Sequence, residues 1–230
     1  MAGPYTVIVA DCPWSYKDKC NAGKRGACHK YPVMTPEELK ALPVSSLGAK
    51  DSALFLWATM PQLKVALDVM EAWGYEYKTV AFTWVKLNKK ALSLFWGMGR
   101  WTRSNPEVVL LGTRGKPHRE HADVHSVLYL PVGAHSHKPS DIFHKIERLM
   151  GDVPKVELFA RRKPENWDIW GNEAPRDVEN RWIKRDVLDA VLNTQTPHNF
   201  LEGPNTVETG SQELVVDVSQ GIPRTYDDNT

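Results

Sequence analysis

A chain of 230 residues, 42% hydrophobic and 25% charged, has the balance and size of one folded domain with a real core. A formal net charge of +1 excludes a uniformly basic, histone-like binder. No apolar run approaches the roughly 18 residues of a membrane span, no secretory leader pattern is present, and three cysteines (Cys12, Cys20, Cys28) cannot all pair, so a reducing cytoplasmic setting is expected and no membrane partner.

In chain order, the hydrophobic pattern alternates between strand and helix. Tyr5 to Ala10 is a β-branched run ending at Asp11. After a Gly- and Lys-rich stretch, Thr35-Pro36-Glu37-Glu38 has the form of a helix start, with proline in the first turn and a capping-box acid. Ala53 to Trp57 predicts a buried strand. Pro61 opens a helix with Leu63, Ala66, Leu67, Met70 and Trp73 on one face, and Gly74 ends it. Tyr77 to Val85 predicts a strand, as do Val108 to Leu111 and Ser126 to Leu130, the last two joined by a charged link that is a candidate hairpin. Lys138 to Met150 predicts a helix with Ile142, Phe143, Ile146, Leu149 and Met150 on its apolar side, and Val156 to Ala160 a further strand. This alternation predicts an α/β fold, a mostly parallel sheet with helices on both faces. Residues 1–174 are expected to form that domain. Residues 175–230 read as a C-terminal extension, a helix over Asp177 to Leu192 and then a flexible acidic tail.

Charge is unevenly spread. Lys17, Lys19, Lys24, Arg25 and Lys30 face Asp18 alone within residues 15–34, and residues 86–119 hold eight cations against Glu107. Residues 202–230 hold six acids against Arg224. Two basic loops and an acidic end point to a polyanionic partner.

In a parallel α/β sheet, ligands sit beyond the carboxyl ends of the strands. The first strand delivers Asp11-Cys12-Pro13-Trp14 to that edge. The Asp11 carboxylate can accept one N–H, the Cys12 carbonyl another, and the Trp14 face can stack on a ring. The Gly97 to Gly115 segment interleaves Arg100, Trp101 and Arg103, the combination used by single-strand and flipped-base binders. Ser136-His137-Lys138-Pro139 puts a lysine just ahead of a helix N-terminus, where anions are favoured. Glu157-Leu158-Phe159-Ala160-Arg161 and the segment Asn166 to Glu173 end two strands with groups suited to ribose hydroxyls.

Asp-Cys-Pro-Trp resembles the Asp-Pro-Pro-Trp motif of amino-group methyltransferases. With Trp-Thr-Arg-Ser-Asn-Pro-Glu, Gly-Thr-Arg-Gly, Ser-His-Lys-Pro, Glu-Leu-Phe-Ala-Arg and Trp-Gly-Asn-Glu in the same order, the chain resembles the MT-A70 family of N6-adenine methyltransferases over roughly residues 5–174. The resemblance implies a Rossmann-like methyltransferase that uses S-adenosylmethionine and no metal. It assigns Asp11, Cys12, Pro13 and Trp14 to catalysis, and Asp11, Lys138, Glu157, Arg161, Asn172 and Glu173 to the cofactor. Lys138 would neutralise the cofactor carboxylate, and Asn172 and Glu173 would hold its ribose. Trp14, Tyr16, Arg100, Trp101, Arg103 and Glu107 would meet the substrate, a nucleic acid, with DNA favoured over RNA by the small, prokaryote- or phage-like form.

The implied chemistry has a physical basis. The lone pair of an exocyclic adenine amine is delocalised into the ring, so it attacks methyl groups poorly. Two acceptors on its N–H groups favour a pyramidal, more nucleophilic nitrogen, and the protein's part is orientation and preorganised charge. A duplex target has to be flipped out first.

Three departures stand out. Cys12 replaces a proline, Lys163-Pro164 stands where the eukaryotic writer has His-Asn, and only ten residues precede Asp11, which reads as a minimal form. Alternatives are the same fold acting on RNA or on the cytosine amino group, or a catalytically silent nucleic-acid-binding subunit. A second subunit, identical or different, is a candidate for completing a groove. A nucleophilic Cys12 for cytosine carbon-5 chemistry has the wrong order relative to Pro13. Neither Cys20, Cys28 and His29 nor His118, His121 and His125 makes a strong zinc pattern. Trp57, Trp73 and Trp84 read as core, while Trp167 and Trp170 are balanced between packing and ligand contact.

Overall fold

The computed structural model of the chain describes residues 4–15, 33–91, 93–99, 101–133 and 137–175. Tyr16, Arg100, Ser136, the Cys20, Cys28 and His29 group, and the expected helix and tail of the extension lie outside the described residues.

Among the described residues, seven strands form one sheet: β1 (Tyr5–Ala10), β2 (Gly48–Ala58), β3 (Glu76–Leu87), β4 (Glu107–Arg114), β5 (Val127–Pro131), β6 (Lys155–Leu158) and β7 (Asp168–Trp170), in the order β5-β3-β4-β2-β1-β6-β7. The β1–β2, β1–β6, β3–β5 and β6–β7 pairs are parallel, and only β4 runs against its neighbours. The sheet is therefore mostly parallel, as the alternating pattern predicts.

The expected β4–β5 hairpin does not form. Both edges of β4 are already taken by β2 and β3, so β5 pairs instead, in parallel, with the open edge of β3. The hairpin in this region joins β3 to β4, with Trp84 opposite Glu107.

Central strands are buried on both faces, and the period of two sorts their side chains into two cores. Ile8, Ala10, Leu54, Leu56, Leu110 and Leu158 face one way. There they meet α1 (Pro36–Ala41) and α2 (Leu63–Ala72), through Leu39, Ala66, Val69, Met70 and Trp73. Thr35 and Glu38 form the expected capping box at the start of α1. The Trp73 indole donates to the Leu39 carbonyl at 2.7 Å and ties the two helices together. Gly74, at φ +80°, stops the chain after α2 in a backbone region that side chains disfavour.

Val7, Val9, Phe55, Trp57, Phe82 and Trp84 face the other way, against Ile142, Phe143 and Ile146 of α3 (Asp141–Met150). Trp57, Trp73 and Trp84 are core residues, as expected. Trp167 and Trp170 are packing residues too: the first donates to Glu147 and stands edge-on to Phe143, the second stands edge-on to Phe159. Strand β6 stops at Leu158, two residues earlier than the pattern predicts, because Phe159 turns to φ +61°.

The chain leaves β1 towards β2, while β6 flanks β1 on the opposite side. The carboxyl ends of β1 and β6 are thus the topological switch point, where an α/β sheet opens a crevice for ligands.

Candidate active site

Asp11 stands at the end of β1, at this switch point. The turn after it is tight. Trp14 N–H donates to the Cys12 carbonyl at 2.9 Å, Met34 N–H donates to the Pro13 carbonyl at 2.9 Å, and Gln62 Nε2 donates to the Ser15 carbonyl at 2.7 Å. One lone pair of the Cys12 carbonyl is engaged and the other remains for a ligand. Cys12 and Trp14 are buried. Burial first, and the neighbouring Asp11 second, push the Cys12 thiol up, which disfavours the thiolate that carbon-5 chemistry needs.

The third and fourth elements of the site are Lys138 and Glu107. Lys138 Nζ lies 2.9 Å from Asp11 Oδ1 and 3.0 Å from Oδ2, and 3.3 Å from Glu107 Oε2. On its other side Glu107 Oε1 accepts from Lys86 Nζ at 2.5 Å. The order Asp11–Lys138–Glu107–Lys86 alternates sign and balances to zero. Burial by itself would lower the Lys138 pKa, but Asp11 and Glu107 more than offset it and hold the ammonium firmly protonated. Burial would likewise raise Glu107, and Lys138 and Lys86 override it, so its carboxyl sits below the usual range. The Trp57 ring lies under the Lys138 ammonium at 5.4 Å and forms the floor of the cluster.

Lys86 and Trp57 were not legible as site residues. Lys86 becomes visible only when β3 and β4 are paired, because that pairing alone puts Trp84, Lys86 and Glu107 side by side.

Glu157, Phe159 and Arg161 end β6 and share a second small cleft with Asp11, His137 and Lys138. The β7 turn is drawn close to them. Ala160 N–H donates to the Trp170 carbonyl at 2.9 Å, and a Cβ on Gly171 would stand 2.6 Å from Ala160 N, closer than a side chain allows. That approach sets Asn172 and Glu173 beside Arg161, whose Nε lies 3.5 Å from Glu173 Oε2. The six expected cofactor residues therefore gather around the ends of β1, β6 and β7.

Trp14 and Glu107 join Asp11 in the first cleft. Trp101 and Arg103 do not: they occupy the exposed tip of the β3–β4 hairpin, Trp101 at 95% exposure. A larger groove runs between α3 and residues 162–166, away from the strand ends. Its wall mixes His144, Arg148, Lys163 and Glu165 without converging on one point. Among the described residues no cluster of His, Cys, Asp or Glu has the grouping of a metal site, and no helix is long and apolar enough to cross a membrane.

Glu157 behaves unlike Glu107. Burial pushes its carboxyl up to about 8, with Arg162 and Lys138 only partly opposing and Asp11 adding to the rise. Its Oε2 has no hydrogen-bond partner among the described residues. The unfolded chain releases this proton near 4.5, the folded chain only near 8. Between those values the folded state holds more protons, so raising pH favours unfolding. Thermal midpoints of wild type and Glu157→Gln, measured from pH 5 to 8.5, are expected to diverge as wild type loses stability. Parallel curves would show that Glu157 ionises normally in the fold.

The MT-A70 family model matches residues 5–173. The chain is 36% identical over 189 residues to the Type II methyltransferase M.MunI of Mycoplasma sp, covering 74% of this chain and 78% of that protein. It is 32% identical over 177 residues to the N(6)-adenosine-methyltransferase MT-A70-like protein of Drosophila melanogaster, covering 75% of this chain and 27% of that protein. It is 30% identical over 177 residues to the N(6)-adenosine-methyltransferase catalytic subunit METTL3 of Homo sapiens, covering 75% and 29% respectively. The chain thus spans less than a third of the two animal relatives.

Proposed function

The chain belongs to the MT-A70 family and is an N6-adenine methyltransferase; from that premise we propose that it takes its methyl group from S-adenosylmethionine and that its acceptor is adenine in DNA. The observation that carries this reading is Asp11 at the switch point, clamped by Lys138, itself paired with Glu107.

The residues present fit the cofactor. Its methionyl end is a zwitterion, and Asp11 and Lys138 are an ion pair that can exchange partners with one: the carboxylate of Asp11 would take an ammonium, the ammonium of Lys138 a carboxylate. Glu157, whose carboxyl burial pushes up and whose Oε2 has no hydrogen-bond partner among the described residues, is suited to a hydroxyl or amine, and Arg161, Asn172 and Glu173 would hold the ribose. When bound, the cofactor supplies an electrophilic methyl group on a sulfonium.

This chain's own groups do the rest. The Asp11 carboxylate and the free lone pair of the Cys12 carbonyl accept the two N–H groups of the target amine and draw its lone pair out of the ring. Trp14 and Pro13 line the wall against which the base rests. Asp11 lies beside the amine to receive the proton that the alkylated nitrogen releases. Glu107 holds Lys138, and so Asp11, in place before substrate arrives, which spares reorganisation in the reaction.

DNA is favoured because the match spans most of the Mycoplasma type II methyltransferase and only a small part of the animal N(6)-adenosine enzymes. The test is calorimetric binding of S-adenosylmethionine followed by methyl transfer to DNA and RNA oligonucleotides of one sequence. We expect binding, and a higher rate on DNA. A higher rate on RNA would overturn the substrate reading, and absence of cofactor binding would overturn the enzyme reading in favour of a silent binding subunit. Cytoplasmic residence and pairing with a second subunit belong to the same proposal.

A further inference from the structure

The β3–β4 hairpin carries an apolar tip that neither core uses. Within its connecting segment, Gly97 N–H donates to the Ser104 carbonyl at 2.7 Å and closes a second, smaller turn. The turn is tight. A Cβ on Gly99 would stand 1.8 Å from the Thr102 carbonyl oxygen, so only glycine allows that closure. At its tip Met98 is 91% and Trp101 95% exposed, with Trp96 at 60% below them. Arg103 Nη1 lies 3.3 Å from Met98 Sδ. None of Met98, Trp101 and Trp96 belongs to either core, and three large apolar side chains exposed on one short turn are of the kind that marks a contact surface.

The charge around the tip selects the partner. Between Leu87 and Pro106 the sequence has Lys89, Lys90, Arg100 and Arg103 and no acid. A second copy of the chain would bring like charges against these, whereas a nucleic acid offers phosphates to the cations and base faces to the apolar tip.

The tip is also geared to the active site. Asn105, only 9% exposed, accepts from Lys86 N–H at 2.9 Å and donates to the Lys86 carbonyl at 2.9 Å and the Phe95 carbonyl at 2.5 Å. Lys86 is the residue whose ammonium holds Glu107. The Asp11 side chain is only 19% exposed, so an amine stacked in a duplex cannot reach it and its base must be extruded. Extrusion leaves a gap in the stack that apolar side chains are able to fill.

We propose that Met98 and Trp101 form a wedge that enters the base stack and fills the place left by the extruded target adenine. This rests on the reading above that the acceptor is DNA. The double variant Met98→Ser/Trp101→Ser in the full chain removes the wedge and keeps the fold, which its melting temperature checks. Three acceptors carry the site that wild type methylates: a paired duplex, the same duplex with the target opposite an abasic site, and the single strand. The expected result is a loss of kcat/KM on the paired duplex at least about tenfold larger than the loss on the other two, whose target is already unstacked. Equal losses on all three, or no loss on the paired duplex, would overturn the wedge and leave the proposed function standing. So would a wild type that methylates single strands alone, or a variant that turns a dimer into a monomer in light scattering, which would assign the tip to a second copy. A wild type that binds the cofactor and methylates none of the three overturns the proposed function itself, and the wedge with it.

Discussion

Asp11→Asn is expected to lower kcat by about two to three orders of magnitude, the usual cost of losing one preorganised group at the reacting centre. The isosteric amide keeps one carbonyl acceptor but turns an NH₂ towards Lys138, whose ammonium cannot accept it. The variant also loses the carboxylate that receives the amine's proton. Its fold is expected to hold, because the Asp11 side chain is part-exposed and packs in neither core. Nucleic-acid affinity measured by fluorescence anisotropy is therefore expected to stay within about threefold of wild type, since phosphate contacts dominate it. A variant with near wild-type turnover would remove Asp11 from the reaction and leave the cluster a structural ion pair.

Lys138→Met is expected to act on two levels at once. Removing the ammonium leaves Asp11 without its cation and Glu107 with Lys86 alone, and breaking this part-buried pair from one side costs stability, less than the about 3–5 kcal/mol of a fully buried pair. Chemical denaturation checks that part. Cofactor affinity is expected to fall about 10- to 100-fold by calorimetry, the worth of a hydrogen bond to a charged group. A loss of stability with unchanged cofactor affinity would make Lys138 a brace for Asp11 and Glu107 and nothing more. The Glu107 carboxyl, relieved of one of its two cations, is expected to titrate higher in this variant than in wild type.

The parts of this site legible in the sequence are those set by local rules. Asp11 follows a β-branched run and so sits at a strand end, Lys138 precedes a helix, and the Glu157 to Arg161 block follows another strand. Each is placed by the element that it flanks or, for Glu157, closes, and the switch point then brings them together. What stayed hidden depends on long-range pairing. Lys86 is set beside Glu107 only by the register that the hairpin fixes, and Trp57 reads as a core tryptophan until its ring is found under Lys138.

The β4–β5 misreading has the same origin. Adjacent strands in sequence suggested a hairpin, but β4 had no edge to give, and the competition between strands for edges is not encoded within either one. The placement of Trp101 lies between these cases. Its sequence context marked a nucleic-acid contact, but only the backbone of the Gly97–Ser104 turn shows it thrust away from the cleft rather than lining it.

The most direct measurement is the chemical identity of the product. Wild-type protein, S-adenosylmethionine with a labelled methyl group and adenine-containing DNA are incubated, the DNA is digested to nucleosides, and the label is followed by chromatography. The account predicts a single labelled product, N6-methyldeoxyadenosine, absent with Asp11→Asn. Label on the cytosine amino group, or none at all from protein that binds the cofactor, would contradict it.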